Sequence, residues 1–203
     1  MKFPTIYILP AAIALVLASC GNTPTGDKSA KEEAVATSAP ADIPETTPTI
    51  RYQDPALQAQ LGEMFTLYLE IQTALTKDQA TEATKAANSL SSLVDRFNAA
   101  RLPDSLRQAY DAQAKEVGKS AAGLAQQHDI AQQRAAFAPL SEQVLHLLRL
   151  FGTEKPVYET HCPMAFDNKG ANWLSDKPEV RNPYFGDQML ECGEITAMIR
   201  KRQ

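Results

Sequence analysis

From residue 55 to residue 151 apolar side chains recur at alternating spacings of three and four. That spacing is the mark of one buried stripe per helix. The first stripe is Leu57, Leu61, Met64, Tyr68, Ile71 and Leu75. Asp54 is its expected N-cap, Pro55 suits the first turn, and the stripe ends at Thr76-Lys77. Asp78 is the expected cap of a second helix, with Ala83, Ala87, Leu90, Val94 and Phe97 as its stripe, broken at Leu102-Pro103-Asp104. A third carries Leu106, Tyr110, Val117, Ala121 and Leu124. Gly118 and Gly123 weaken it by about 1 kcal/mol each relative to Ala. After His128, Asp129 with Gln132 has the form of a capping box. In the fourth helix Ile130, Phe137, Val144 and Phe151 recur every seventh residue, filled in by Leu140, Leu147 and Leu148. Gly152 ends it.

Four stripes of roughly 20 residues, each about 30 Å long, joined by short connections, predict a mainly α domain. The expected form is an up-down four-helix bundle over residues 55–152. Residues 153–203 lose the period. Pro156 to Thr160 is strand-like, and Trp173-Leu174 is a second short strand. Asn168-Lys169-Gly170 and Asn182-Pro183-Tyr184-Phe185-Gly186 are turn chemistry. Glu194 to Arg200, with Ile195 and Ile199 four apart, is expected to be a final helical turn. The result is a small irregular cap with short strands in the same domain, anchored by Trp173, Tyr184 and Phe185.

The opening residues address the chain. Lys2 followed by the apolar run Ile6–Leu17 and small residues is a signal-peptide pattern over 1–19, too short to span a bilayer. Leu17-Ala18-Ser19-Cys20 resembles the bacterial lipobox, so Cys20 is the expected lipidation site. Its acyl chains suffice for stable anchoring. Gly21 stands where an inner-membrane retention signal would place Asp, which favours the periplasmic leaflet of the outer membrane. Residues 21–54, with Pro24, Pro40, Pro44 and Pro48 among small and polar residues, are expected to be a flexible tether.

Composition narrows the function. The chain has 203 residues and a formal net charge of -4, which disfavours nucleic acid. Gly-rich phosphate loops, nucleophile elbows and H-E-x-x-H are absent, so a non-catalytic protein is expected. His128 and His146 are expected to be structural or surface residues. Once Cys20 is committed to lipid, Cys162 and Cys192 remain as an even pair in an oxidising compartment.

These two cysteines sit in His161-Cys162-Pro163-Met164 and Met189-Leu190-Glu191-Cys192. In an extended run Cys162 and Met164 share a face. In a helical turn or tight loop Met189 and Cys192 also share one. Convergence would give two thiolates and two thioethers, ligands that select Cu(I) and similar soft ions. His161 is a possible fifth donor, and zinc is less natural because methionine binds it poorly. A disulfide closing a loop of about 30 residues, worth roughly 3.5–4 kcal/mol by chain entropy, is the other reading, and free thiols a third. A C-x-x-C redox pair is missing.

The segments His161 to Ala165, Asn168 to Ser175, Asn182 to Gly186 and Met189 to Glu194 resemble domain of unknown function 3347. So does Arg134-Ala135-Ala136-Phe137-Ala138-Pro139-Leu140-Ser141. The resemblance spans roughly residues 55–200. It implies a bacterial periplasmic lipoprotein, of a kind also found beside heavy-metal efflux adaptor proteins. The Cys-Pro-Met element is similar to the metal-binding segment of copper and silver efflux adaptors. Here Ala165 stands where that pattern has His, and no Met follows Gly193. What this implies is a tethered protein that binds copper or another soft ion, to sequester it or hand it to an efflux adaptor. The alternative is a disulfide-stapled interaction module of the cell envelope.

Overall fold

A computed structural model describes residues 43–200, all within the compact unit Ala36–Gln203. The expected signal peptide, Cys20 and residues 21–42 of the tether lie outside the described residues. In chain order the elements are β1 (Glu45–Thr46), α1 (Pro55–Thr76), α2 (Ala80–Arg96), α3 (Asp104–Ala125), α4 (Ile130–Phe151), β2 (Val157–Cys162), β3 (Ala171–Ser175) and β4 (Glu194–Ile199). Short 3-10 turns cover Ala99–Arg101 and Gly186–Gln188. The protein is mainly helical with a small C-terminal sheet.

The stripes form the core. Leu57, Leu61, Met64, Tyr68, Ile71 and Leu75 are all buried, as are Leu90, Val117, Leu124, Phe137, Leu140, Leu147 and Phe151. Each such leucine or phenylalanine contributes about 1.5–3 kcal/mol on burial. Each helix packs on the next in sequence, and α4 packs on β3. Asp54 accepts from the backbone of Ala56 and Leu57, and Asp129 from Ala131 and Gln132, so both expected N-caps are present. Gly118 has a structural use. A Cβ there would come within 3.2 Å of Val94, so its absence lets α3 approach α2. α4 runs unbroken through Pro139.

Three expectations are corrected. Asp78 does not cap α2, whose N-cap is Gln79 with no side-chain bond. Asp78 instead takes a left-handed conformation, φ 56°, and pairs with Arg134. A charge-assisted bond to a largely buried guanidinium is about twice as strong as a neutral one, and it draws the carboxylate away from the helix start. Glu194 to Arg200 is strand, not helix. A short run rich in β-branched residues suits a strand, and the open edge of β2 supplies the hydrogen-bond partners.

The third correction concerns the end of the tether. Residues 43–54 are ordered. β1 pairs in parallel with β4, and Glu45 forms an ion pair with Arg200. Ile50 and Thr49 donate their backbone N–H to the carbonyls of Leu150 and Arg149 at 2.8 and 3.3 Å. The last carbonyls of a helix lack internal partners, and this segment supplies them without any apolar period. Tyr52 is buried edge-on against Phe151, centroids 5.7 Å apart.

The sheet order is β1-β4-β2-β3. β2 lies antiparallel to both neighbours, with an irregularity at Glu159/Thr160 on the β4 side. The strands expected at Pro156–Thr160 and Trp173–Leu174 are therefore present and extend further. Glu159 is buried and bound by Arg149 of α4 at 2.6 Å. β3 is an edge, yet its outward groups are covered. The Leu174 N–H donates to the Tyr68 hydroxyl at 3.0 Å, and the Tyr184 hydroxyl donates to the Asn172 carbonyl. The Tyr68 hydroxyl is also 2.8 Å from Ser141 Oγ. One buried phenol thus joins α1, α4 and the sheet.

Candidate functional site

The two remaining cysteines meet. Cys162 is the last residue of β2 and fully buried. Cys192 lies in the turn before β4 and is half-buried. Their Sγ atoms are 3.2 Å apart as two free thiols sharing a hydrogen bond. That bond to Cys162 is the main reason the Cys192 thiol is pushed above its ordinary pKa, followed by burial and the charge of a Cys162 thiolate.

The position of Cys192 is set by hydrogen bonds in and around its turn. Its backbone N–H donates to the Met189 carbonyl at 3.1 Å, which closes the turn. Fully buried Asn182 holds that turn from outside. Its backbone N–H reaches the Leu190 carbonyl and its Nδ2 reaches the Cys192 carbonyl, each at 2.7 Å. Its Oδ1 accepts from the Tyr184 N–H at 2.8 Å. The next residue is fixed to the helices. Arg134 of α4 donates Nε to the Pro183 carbonyl at 2.9 Å and Nη2 to the Leu75 carbonyl at 3.0 Å. Gly193 completes the turn at φ 150°. A Cβ there would fall 2.6 Å from the Trp173 ring and 3.1 Å from the His161 carbonyl, so glycine alone fits.

The three expected aromatic anchors, Trp173, Tyr184 and Phe185, lie in the core or pack against it. Trp173 is fully buried and Tyr184 nearly so, with centroids 6.0 Å apart. Tyr184 also meets Phe137 of α4 and Phe166, at 5.9 and 5.3 Å. Phe185 is only half-buried. A fourth aromatic, Phe166, also half-buried against the core, belongs to a left-handed turn in which Phe166, Asp167 and Asn168 all have φ between 53° and 64°. Such backbone costs non-glycine residues roughly 1–2 kcal/mol each. This turn directly follows Cys162-Pro163-Met164.

The other expected donors are placed differently from the thiols. Met164 is 48 % exposed, the one large hydrophobic side chain so exposed among the described residues. Met189 is half-buried in the turn that ends at Cys192. His161 neighbours Cys162 on β2, and successive strand residues leave opposite faces. The His161 Nδ1 is 2.7 Å from Asn172 Oδ1, and Asn172 Nδ2 donates to Glu142 Oε1 at 3.1 Å. A carboxylate only accepts, so the amide presents its oxygen to the imidazole. Nδ1 therefore carries the proton and Nε2 the lone pair in the neutral ring, close over Gly170. His146 is exposed on α4 and His128 is exposed in the connection between α3 and α4, both as expected.

Among the described residues no three His, Cys, Asp or Glu side chains converge as a metal group, and no helix is long and apolar enough to cross a membrane. Any ion at the thiol pair would draw further ligands from thioethers or from another molecule. Sequence reasoning missed Asn182 and Arg134 as positioning residues. Asn182-Pro183 is a turn signal, but the partner it would hold is invisible. Arg134 shows only as a charge with no opposite charge three or four residues away on its own helix.

Residues 64–156 match the profile of a family described as protein of unknown function (DUF3347). The match covers most of the helical region and ends before His161. No curated protein and no solved structure matches the chain.

Proposed function

Taking as premise that the chain belongs to the DUF3347 family through residues 64–156, we propose that it is a non-catalytic soft-metal carrier, with copper as its ion. In this reading Cys20 is lipidated and moors the protein to the periplasmic face of the outer membrane. The four helices form an up-down bundle, supported by each helix packing on its sequence neighbour, and they brace the sulfur site. The ion is sequestered, or handed to a heavy-metal efflux adaptor.

The observation that carries the proposal is the 3.2 Å approach of Cys162 and Cys192. Metal–thiolate bonds of about 2.3 Å in tetrahedral geometry put two sulfurs about 3.8 Å apart. A disulfide needs about 2.05 Å. From 3.2 Å the pair opens by about 0.6 Å for an ion and closes by about 1.1 Å for a bond. Thiolates with thioether neighbours suit Cu(I). Met164 and Met189 are the nearest thioethers in sequence to the two thiols, and exposed Met164 is the ligand through which an ion enters and leaves. His161 serves only if its Nε2 reaches the same ion.

The test is titration of reduced protein against a Cu(I) chelator. Wild type is expected to compete for one ion, and Cys162→Ala and Cys192→Ala to lose that competition. A wild type that never competes defeats the reading. The same sulfur approach also suits a disulfide-stapled interaction module. Thiol alkylation of metal-free protein without reductant separates the two, because a staple leaves neither cysteine modified.

A further inference from the structure

The two cysteines are unequal in one decisive respect: Cys162 is fully buried, whereas Cys192 is half-exposed in a turn. Their sulfurs are already within 3.2 Å. Asn182, Arg134 and Gly193 hold that turn in place. We propose that Cys162 and Cys192 form a reversible thiol–disulfide switch, with Cys192 as the entry thiol and Cys162 as the resolving thiol, and that its oxidised form cannot hold the ion. The inference depends on the metal reading for its consequence but not for its chemistry.

The oxidant is a disulfide, either a small one or one carried by a protein. The Cys192 thiolate attacks one sulfur of R–S–S–R, forming Cys192–S–S–R and releasing RS⁻. The Cys162 thiolate then attacks Cys192 Sγ, forming the Cys162–Cys192 bond and releasing the second RS⁻. Two electrons pass from the cysteine pair to the oxidant, and the two thiol protons end on the two released thiols. Buried Cys162 cannot be the first to attack a bulky disulfide, because the attacking thiolate must reach a disulfide sulfur along the S–S axis. The hydrogen bond between the thiols places the resolving sulfur beside the mixed disulfide from the start. Once the bond forms, neither sulfur is a thiolate, the form in which a cysteine binds metal, and the site loses its two charged ligands.

The experiment uses the full chain, reduced and metal-free, exposed to glutathione disulfide. Samples are quenched in acid, alkylated and read by intact mass and peptide mapping. Wild type is expected to end as the Cys162–Cys192 disulfide and to reopen in excess glutathione. Cys162→Ser is expected to stop at a glutathione adduct on Cys192. Cys192→Ser is expected to form an adduct on Cys162 more slowly by about tenfold or more. Equal adduct rates in the two variants, persistent free thiols in wild type, or a disulfide that glutathione cannot reopen would each overturn the switch. If a serine variant does not fold, the order of alkylation in wild type decides, Cys192 first supporting and Cys162 first refuting. Cu(I) competition is a separate arm. Loss of binding on oxidation supports the gating, and equal binding by both forms overturns it. A reduced protein that never binds Cu(I) sinks the carrier reading alone, while the mass data still decide the switch.

Discussion

Between Pro55 and Phe151 the buried side chains are mostly aliphatic and aromatic residues on four helices, with a few buried polar groups such as Gln133 and Ser141. Between Val157 and Ile199 the buried set mixes Trp173 and Tyr184 with Glu159, Thr160 and Asn182. The helical region is held mainly by many apolar contacts, to which a few polar bonds are added, such as those Gln133 donates to the Ala80 and Gln127 carbonyls. The C-terminal region is held by a few polar bonds that cannot be exchanged: Asn182 to Cys192, Arg134 to Pro183, Tyr68 to Leu174, Arg149 to Glu159. Three of those four bonds come from the helices. The difference teaches that the sheet does not stand alone. Its geometry, and with it the spacing of the two thiols, is supplied by α1 and α4.

The strongest way to break this comparison is at Phe137. It is fully buried, stacks on Tyr68 at 5.2 Å and meets Tyr184 at 5.9 Å. Phe137→Ala is expected to cost about 3–5 kcal/mol. Trp173, the chain's single tryptophan, reports the sheet by fluorescence, and far-UV circular dichroism reports the helices. Both should lose their urea midpoint together, and separate transitions would show that the two regions are independent.

Alkali is the next test. Burial raises Tyr110 to about 12, and it also raises Tyr68 and Tyr184. Between the ordinary phenol value of 10.0 and about 12 the folded protein keeps phenolic protons that the unfolded chain has lost. The unfolded state then binds fewer protons, so stability falls as pH rises through that window. The slope is up to about 1.4 kcal/mol per pH unit for each such tyrosine. Urea midpoints on either side of pH 10 check it, and a flat profile would contradict burial of these rings.

A local change sharpens the contrast. Asn182→Ala leaves the Cys192 carbonyl and the Tyr184 N–H without partners, a cost of about 1–3 kcal/mol. It should speed alkylation of Cys192 while the helix signal changes little. The smallest effect is expected at the far end of α1. Asp54→Ala removes one N-cap, worth about 1 kcal/mol, and should lower the midpoint without altering thiol reactivity.

The helices were legible because a stripe such as Leu57 to Leu75 is a local pattern that states its own burial. Asp54 and Asp129 were legible for the same reason, since a cap is read from adjacent residues. Asp78 misled because its partner, Arg134, is 56 positions away. Ile195 and Ile199 misled because a spacing of four reads as one helix face, while the irregular pairing of β4 with β2 lies between them and leaves no sequence mark. The meeting of Cys162 and Cys192 was open in the sequence as one of several outcomes. The residues that bring it about, Asn182 and Arg134, act through backbone carbonyls, and no side-chain pattern announces a carbonyl.

The most direct measurement is X-ray absorption at the copper edge, on reduced protein loaded with one equivalent of Cu(I). The account predicts a first shell made of sulfur, lost when Cys162 and Cys192 are both replaced by serine. A shell of nitrogen and oxygen, or one that survives that double replacement unchanged, would contradict it.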